Sequence, residues 1–233
     1  MQKYSVFSLI KNAFSNHEKW DLAWKDPTPK KEYDVVIIGG GGHGLATAYY
    51  LAKEHQITNV AVIEKGWIGG GNIGRNTTII RSNFMYDDNA RFNEFGMNLW
   101  RNMSQELNFN VMFSPRGIIN LAHSDAQMNA YARRGNSMRL NGIDAVLLNR
   151  EEVKKIIPMA DFSDDVRYPI FGGLAQPSAG TARHDAVAWG YARQADSMGV
   201  DIIQNCEVTG FDIEAGKITG LRTSRGDIKS KKI

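Results

Sequence analysis

The chain has 233 residues, of which 42% are hydrophobic and 23% are charged, and its formal net charge is +3. This composition is typical of a globular protein, and the charge is too small for a nucleic-acid-binding protein. The single cysteine, Cys206, excludes an internal disulfide and a cysteine-based zinc site. We therefore predict no metal site and expect a cytoplasmic location. No apolar run approaches the length of a transmembrane helix, so no membrane partner is expected.

Residues 1–33 are predicted to form an arm outside the main fold. Trp20 and Trp24 are one helical turn apart and could pack on one face. The prolines at 27 and 29 then end any helix. A packed tail is the favoured interpretation of this arm.

A strand–helix–strand pattern begins at Tyr33. The apolar run 33–38 is typical of a strand buried on both faces of a parallel sheet, and glycines 39–42 end it. Leu45 to Glu54 has helical spacing, and Val60 to Ile63 is predicted to be a second buried strand. The length of roughly 31 residues is that of a βαβ unit.

The rest of the chain divides by its pattern. Residues 84–172 lack the βαβ alternation, which returns in residues 173–233. We therefore predict an α/β fold in which a Rossmann-like domain of residues 34–83 and 173–233 is interrupted by part of an α+β substrate domain of residues 84–172. The predicted elements are a helix with Phe92, Phe95, Leu99, Met103 and Leu107 on its apolar face, a strand Gly117–Leu121, a helix Ala126–Leu140, a helix capped by Asn149 and Glu152 that ends at Pro158, a helix Asp185–Met198, and strands Val200–Val208, Ile218–Thr223 and Asp227–Ser230.

The glycines after the first strand match a dinucleotide-binding fingerprint. Gly39, Gly41 and Gly44 form G-x-G-x-x-G directly before a helix, and Glu64 ends the next strand, 20 residues after Gly44. The three glycines permit a tight turn, close approach of a diphosphate and close helix–strand packing, respectively. The helix N-terminus favours phosphate, and Glu64 can accept hydrogen bonds from ribose hydroxyls, which disfavours NADP. The alternative is a glycine turn that binds no ligand.

The segment after Glu64 favours a flavin over a nicotinamide cofactor. Residues 67–81 are glycine-rich, polar and long enough to run beneath a cofactor to a flavin ring, whereas a nicotinamide enzyme usually enters a helix sooner. The segment supplies hydrogen-bond donors and positive charge that could favour an anionic reduced flavin: Asn72, Asn76, Thr77 and Thr78, with Arg75 and Arg81. A solvated loop is the alternative.

Several segments resemble a known family. Residues 34–52 resemble the D-amino-acid oxidase superfamily of FAD-dependent oxidoreductases. His43, together with residues 64–67, 74–83, 114–117 and 200–211, resembles the beta-subunit branch of heterotetrameric sarcosine oxidases within it. The resemblance extends from about residue 17 to the end of the chain.

The resemblance implies a flavin-dependent oxidative demethylation of sarcosine to glycine, with O2 reduced to hydrogen peroxide. The one-carbon unit passes to tetrahydrofolate or leaves as formaldehyde. It implies non-covalent FAD, FMN bound covalently to His184 within the segment 181–189, alpha, gamma and delta partner subunits, and NAD on another subunit. The candidate cofactor-binding residues are Gly39, Gly41, Gly42, His43, Gly44, Glu64, Asn72, Arg75, Thr77, Thr78, Ile80, His184 and Val208. Without the resemblance, a structural role would be favoured for His184, and core packing for Val208 and Cys206.

The family's chain continues past residue 233, so the sequence is expected to be truncated. The two lysines 231 and 232 are expected to stop just before a central strand of the sheet, leaving apolar surface and strand edges unpaired. The isolated chain is therefore expected to be poorly soluble and to bind FAD weakly. No catalytic acid or base is assigned. Arg81 and Arg116 could hold a substrate carboxylate, but a surface or ion-pair role is favoured for both.

Three other functions remain open. A related FAD-dependent amine or amino-acid dehydrogenase or oxidase, such as a sarcosine dehydrogenase-like or glycine oxidase-like protein, stays within the flavoenzymes. An inactive dinucleotide-binding module belongs to another class. A nicotinamide dehydrogenase is disfavoured by the segment after Glu64.

Overall fold

The computed structural model describes residues 5–18, 20 and 22–233. These residues form two compact units. The first contains the described residues up to Thr77 with Gln105–Val111 and Arg183–Ile233, and the second contains Thr78–Ser104 and Met112–Ala182. The domain boundaries predicted from the sequence stay a prediction.

The described secondary structure follows in chain order. The helices are α1 (Val6–Ala13), α2 (Gly42–His55), α3 (Asp87–Glu106), α4 (Asp125–Leu140), α5 (Arg150–Ile156) and α6 (His184–Ser197), with a short 3-10 helix at Asn72–Arg75. The strands are β1 (Glu32–Ile38), β2 (Val60–Ile63), β3 (Ile79–Ile80), β4 (Ile118–Ala122), β5 (Val146–Asn149), β6 (Gly172–Gln176), β7 (Gly180–Thr181), β8 (Asp201–Ile203), β9 (Val208–Glu214), β10 (Lys217–Thr223) and β11 (Gly226–Lys232). No helix among these described residues combines the length and apolar character needed to cross a membrane.

The sheet of the first unit has the strand order β8-β2-β1-β11-β10-β9. Strands β8, β2, β1 and β11 run parallel, whereas β10 is antiparallel to both of its neighbours. All four residues of β2 are buried, as expected for a strand covered on both faces. The predicted α/β fold with a parallel sheet is confirmed, and so are its first strand, helix and second strand.

The predicted strand Val200–Val208 is wrong, because the chain forms two strands there. Strand β8 ends at Ile203, and Asn205 then adopts a left-handed conformation with φ 49°. The backbone N–H of Asn205 donates to Gly66 O (2.8 Å), and that of Cys206 donates to Glu64 O (2.9 Å). These bonds turn the chain away from the parallel ladder before β9 begins at Val208.

The strand that pairs with β1 also differs from the prediction. Strand β11 pairs in parallel with the first half of β1, so that Glu32 lies opposite Lys229 and Val35 opposite Lys232. The antiparallel β10–β11 hairpin carries the chain to this position. Residues up to Lys232 therefore already form a strand next to β1, contrary to the expectation that the chain stops before one.

The N-terminal arm is tied to the first unit through its extended part. Asp26 pairs with Arg225 at 2.8 Å and accepts a hydrogen bond from the backbone N–H of Gln204 at 3.1 Å. The predicted helical pairing of Trp20 with Trp24 is wrong, because α1 ends at Ala13 and His17, at φ 61°, turns the chain. The predicted arm also overlaps β1, which begins at Glu32.

The second unit is built on the antiparallel sheet β4-β6-β5, together with the small β3–β7 ladder. All five residues of β6 are buried. The predicted apolar face of α3 is partly wrong, since Phe92 and Phe95 are exposed. The side chains of α3 that are buried are Ala90, Met97 and Met103.

Helix α5 carries the predicted capping box. Asn149 Oδ1 accepts from the Glu152 backbone N–H (2.9 Å), and Glu152 Oε2 accepts from the Asn149 N–H (2.8 Å). We expect Asn149→Ala to lower the free energy of unfolding by about 1 kcal/mol, because the first turn of the helix loses its acceptor. Urea denaturation checks this value. Asn149→Asp, which keeps the acceptor, should stay near the parent, and equal loss in both variants would contradict the cap's role.

Candidate cofactor-binding site

The glycine turn joins β1 to α2 in the first unit. Gly39 has φ 106°, and its N–H donates to Ile63 O at 2.8 Å. A Cβ placed on Gly44 would lie 2.1 Å from Gly39 O, so only glycine allows the helix to start this close to the strand end. A Cβ on Gly41 would meet no atom within 4 Å. Gly41 therefore faces open space and leaves room for a ligand.

Helix α2 begins at Gly42 with no side-chain cap, because its N-cap residue is Gly41. The first backbone N–H groups of a helix have no intrahelical acceptor, and the helix dipole makes this end positive. A diphosphate fits this arrangement in both charge and hydrogen bonding. His43, the second residue of α2, is exposed and lines a shallow surface cavity with Thr47 and Tyr50.

Glu64 lies directly after β2 and bonds to the glycine turn. Its Oε2 accepts from the Gly40 N–H (2.9 Å), and its Oε1 accepts from the Gly66 N–H (2.8 Å). Each carboxylate oxygen has a second lone-pair direction, which leaves acceptors for ribose hydroxyls. Glu64 therefore shapes the glycine turn and keeps acceptor capacity for a ligand.

We expect Glu64→Gln to weaken FAD binding by about ten-fold to a hundred-fold. The amide can accept only one of the two backbone N–H bonds, and it is a weaker partner for ribose. The dissociation constant, from fluorescence titration of the apoprotein made from the full-length chain, checks this. Glu54→Gln on the exposed end of α2 is the matched control. Unchanged affinity in Glu64→Gln would exclude this role.

The loop after Glu64 packs against the glycine turn. Ile68 is buried, its N–H donates to Gln204 Oε1 (2.8 Å), and its Cδ1 lies 2.5 Å from the position of a Cβ on Gly40. Ile73 Cδ1 lies 2.9 Å from the corresponding position on Gly42. The 3-10 helix at Asn72–Arg75 organises the middle of this loop.

The polar candidates of this loop occupy different settings. Asn72, Arg75 and Thr77 are exposed in the first unit. Thr78 and Ile80 are half-buried in the second unit, where Ile80 pairs with Gly180 and the backbone O of Thr78 accepts from the Ala182 N–H at 3.1 Å. Thr78 has φ 61°, a conformation that costs a β-branched residue about 1–3 kcal/mol and occurs most often at functional sites.

His184 is the first residue of α6, in the first unit. Its Nδ1 is buried and has no hydrogen-bond partner within the described part of the chain. The flanking residues Arg183 and Asp185 bond to each other at 2.8 Å, and this bond holds the pKa of the Asp185 carboxyl below its usual range. Buried polar atoms are normally satisfied, so the orphaned Nδ1 marks His184 as a candidate functional residue. Val208 starts β9 and packs, half-buried, against the core of the first unit.

The two arginines considered for a carboxylate lie in the second unit. Arg81 is half-buried and donates to Asn83 Oδ1 (2.5 Å), and Arg116 is exposed and donates to Ser114 Oγ (2.9 Å). Neither forms an ion pair with another described residue. Sequence reasoning missed the residues around Arg81, above all Asn83, whose only signal was its place within the segment 74–83.

Comparison with known proteins places this geometry in a family. The profile of the FAD-dependent oxidoreductases (DAO) matches residues 34–233, from β1 to the end of the chain. The chain belongs to this family. The predicted FAD-dependent oxidoreductase class is thereby confirmed, and the open turn at Gly41 fits the diphosphate of the family's cofactor.

The relatives within the family include beta subunits of sarcosine oxidase, which confirms the predicted resemblance. The chain is 60% identical over 231 residues to sarcosine oxidase subunit beta of Rhizobium meliloti, covering 99% of this chain and 55% of the relative. It is 51% identical to that of Rhodobacter capsulatus, covering 100% of this chain and 56% of the relative. The chain thus spans about half the length of these relatives.

Solved structures agree with the fold. The L-proline dehydrogenase from P. horikoshii superimposes with a TM-score of 0.79 at 30% identity, covering 87% of this chain and 52% of that one. The L-amino acid deaminase from Proteus myxofaciens superimposes with a TM-score of 0.78 at 22% identity, covering 92% of this chain and 47% of that one. At the lower identity, the likeness concerns the fold alone.

Proposed function

We propose that this chain is part of the beta subunit of a hetero-oligomeric sarcosine oxidase. The reaction converts sarcosine, water and O2 into glycine, hydrogen peroxide and a one-carbon unit, which passes to tetrahydrofolate or leaves as formaldehyde. The observation that carries the proposal is the identity of 51–60% to relatives of that name across nearly the whole chain. We propose the cytoplasm as its location.

The chain's residues would hold FAD along its length. The N-terminus of α2, with Gly42 and Gly44, would bind the diphosphate, and Glu64 would bind the adenosine ribose. Residues 72–80 would contact the flavin ring with Asn72, Arg75, Thr77, Thr78 and Ile80, His43 would lie near the diphosphate, and Val208 near the adenine. Bound FAD supplies the two-electron acceptor for the amine.

His184 would carry the covalent FMN. Its buried Nδ1 has no partner, and a neutral imidazole is the nucleophile that such an attachment requires. The alpha, gamma and delta subunits are the proposed partners, and NAD is proposed to bind on another subunit. Arg183 and Asp185, on either side of His184 in the sequence, pair with each other at 2.8 Å.

Arg81 would bind the carboxylate of sarcosine. It directly follows β3, which ends the proposed flavin segment, and its guanidinium lies over the Phe84 ring at 5.0 Å. Its charge is not neutralised by a described carboxylate, so it can bind an anion in bidentate fashion. No catalytic acid or base is assigned, because the amine can lose its proton on binding.

A related FAD-dependent amine dehydrogenase is the second candidate. The 30% identity to a protein named L-proline dehydrogenase favours it, because this protein shares the fold over most of the chain. The two functions differ in the final electron acceptor. Peroxide formed in proportion to sarcosine consumed indicates an oxidase, whereas turnover only with an artificial acceptor indicates a dehydrogenase. A protein that binds FAD but oxidises no amine would be the inactive module.

The experiment expresses the full-length chain with its neighbouring subunit genes and measures sarcosine-dependent peroxide. Flavin released by acid is quantified as FAD, and flavin retained on the denatured chain is quantified as covalent flavin. The expected result is one FAD released, one flavin retained and peroxide formed. A colourless complex that yields no flavin on denaturation would overturn the proposal.

A further inference from the structure

Three polar side chains bond to Asn83 in the second unit. Asn83 is fully buried, its Oδ1 accepts from Arg81 Nη1 (2.5 Å), and its Nδ2 donates to Asn120 Oδ1 (2.6 Å). Its backbone O accepts from Arg134 through Nε (2.6 Å) and through Nη2. We call Arg81, Asn83, Asn120 and Arg134 the Asn83 cluster.

Both arginines of the Asn83 cluster bond to neutral groups. Arg81 bonds to an amide oxygen and Arg134 to a peptide oxygen, and neither is paired with a carboxylate of a described residue. Burial lowers the pKa of Arg134, and the nearby charge of Arg81 lowers it further. Two adjacent guanidinium groups without a counter-ion create a positive potential that an anion would relieve.

Hydrogen bonds fix both the backbone and the side-chain amide of Asn83. Arg134 and helix α4 fix its backbone oxygen, while the Ser82 backbone N–H, one residue earlier, donates to buried Gln176 Oε1 at 3.0 Å. Asn120, on β4, accepts from the amide nitrogen, so the amide oxygen must face Arg81. The amide cannot flip without losing both of its side-chain bonds.

We propose that Asn83 is a positioning residue for Arg81, holding its guanidinium in place through a neutral amide that leaves the positive charge available to a substrate carboxylate. This inference rests on the proposed role of Arg81 in binding the substrate carboxylate, and it adds the Asn83 amide as the group that orients the guanidinium. An aspartate at position 83 would still accept from Arg81, but it would neutralise the charge and would lose the bond to Asn120 Oδ1. The choice of amide over carboxylate therefore determines how strongly a carboxylate binds.

The experiment compares Asn83→Asp, Asn83→Leu and Arg81→Gln in the full-length chain assembled with its partner subunits. For each protein, KM and kcat for sarcosine, the competitive inhibition constant of acetate, the flavin content and Tm are measured. Acetate is the probe, because it carries the carboxylate without the amine. We expect Asn83→Asp to fold with the parent flavin content and a lower Tm, because the bond to Asn120 is lost. We expect its KM and acetate constant both to rise by roughly ten-fold, with kcat within about two-fold of the parent.

Asn83→Leu should also raise KM for sarcosine and the inhibition constant of acetate, because leucine offers no hydrogen-bond acceptor that orients the Arg81 guanidinium. Asn83→Asp keeps the test decisive if the leucine variant does not fold. A folded, flavin-loaded Asn83→Asp protein with parent KM and acetate inhibition would overturn the inference, because a carboxylate in contact with Arg81 must weaken substrate binding if Arg81 holds the substrate carboxylate. A folded, flavin-loaded Asn83→Leu protein with parent constants would overturn it as well, because a merely structural Asn83 predicts that result. If Arg81→Gln also leaves both constants unchanged, the proposed carboxylate role of Arg81 fails as well. If only Arg81→Gln changes them, the positioning role alone fails.

Discussion

The full-length chain with Gly44→Ala is expected to lose FAD and much of its folding stability together. The new methyl group would lie 2.1 Å from Gly39 O and 3.2 Å from Ile37 Cγ2, and neither the backbone oxygen nor the adjoining strand can move freely. Such overpacking costs roughly 3 kcal/mol, and it displaces the start of α2 from the diphosphate position. Thermal unfolding and the yield of acid-released FAD measure the two losses.

Gly41→Ala is the matched comparison for Gly44→Ala. Gly41 has φ −79°, which any residue adopts, and an added Cβ meets no atom within 4 Å. We expect this variant to keep its Tm as apoprotein and to bind FAD at least ten-fold more weakly, because the methyl group occupies the space of the diphosphate. If Gly41→Ala binds FAD like the parent, the diphosphate does not lie at this turn.

The glycine turn and Glu64 could be predicted because their signals are local. A buried β-branched strand, a fixed glycine spacing and an acidic residue at the end of the next strand lie within a short stretch of chain. The packing of Ile68 on Gly40 and of Ile73 on Gly42 could not be predicted, because a glycine-rich loop has no periodicity. The 3-10 helix therefore could not be predicted from the sequence alone, because it depends on these tertiary contacts.

The wrong predictions concern residues whose local structure or burial depends on distant segments of the chain. The segment Val200–Val208 contains Asn205, a residue type enriched in the left-handed conformation, but the turn there also depends on backbone bonds to Gly66 and Glu64 from another loop. Phe92 and Phe95 have helical spacing, but a pattern of apolar residues does not determine which of two apolar stripes faces the core. A surface or ion-pair role is favoured for Arg81 from the sequence, which gives no sign of its bond to the amide oxygen of Asn83.

His184→Ala is expected to abolish covalent flavin while leaving FAD in place. The imidazole is the proposed attachment point, and α2 and Glu64, which would hold FAD, do not depend on it. Removing a buried nitrogen that lacks a partner relieves a penalty of about 1–3 kcal/mol, which offsets the packing lost with the ring. The Tm of the variant should therefore stay close to that of the parent.

Flavin fluorescence of the beta chain in a denaturing gel measures the covalent flavin, and acid extraction measures FAD. Asp185→Asn is the control, because it removes the charge that pairs with Arg183 and keeps the histidine. That pair is exposed on the arginine side and is screened by solvent, so the control should fold and fluoresce. A fluorescent His184→Ala band would place the attachment on another residue, and a colourless variant lacking FAD would show that His184 supports the fold instead.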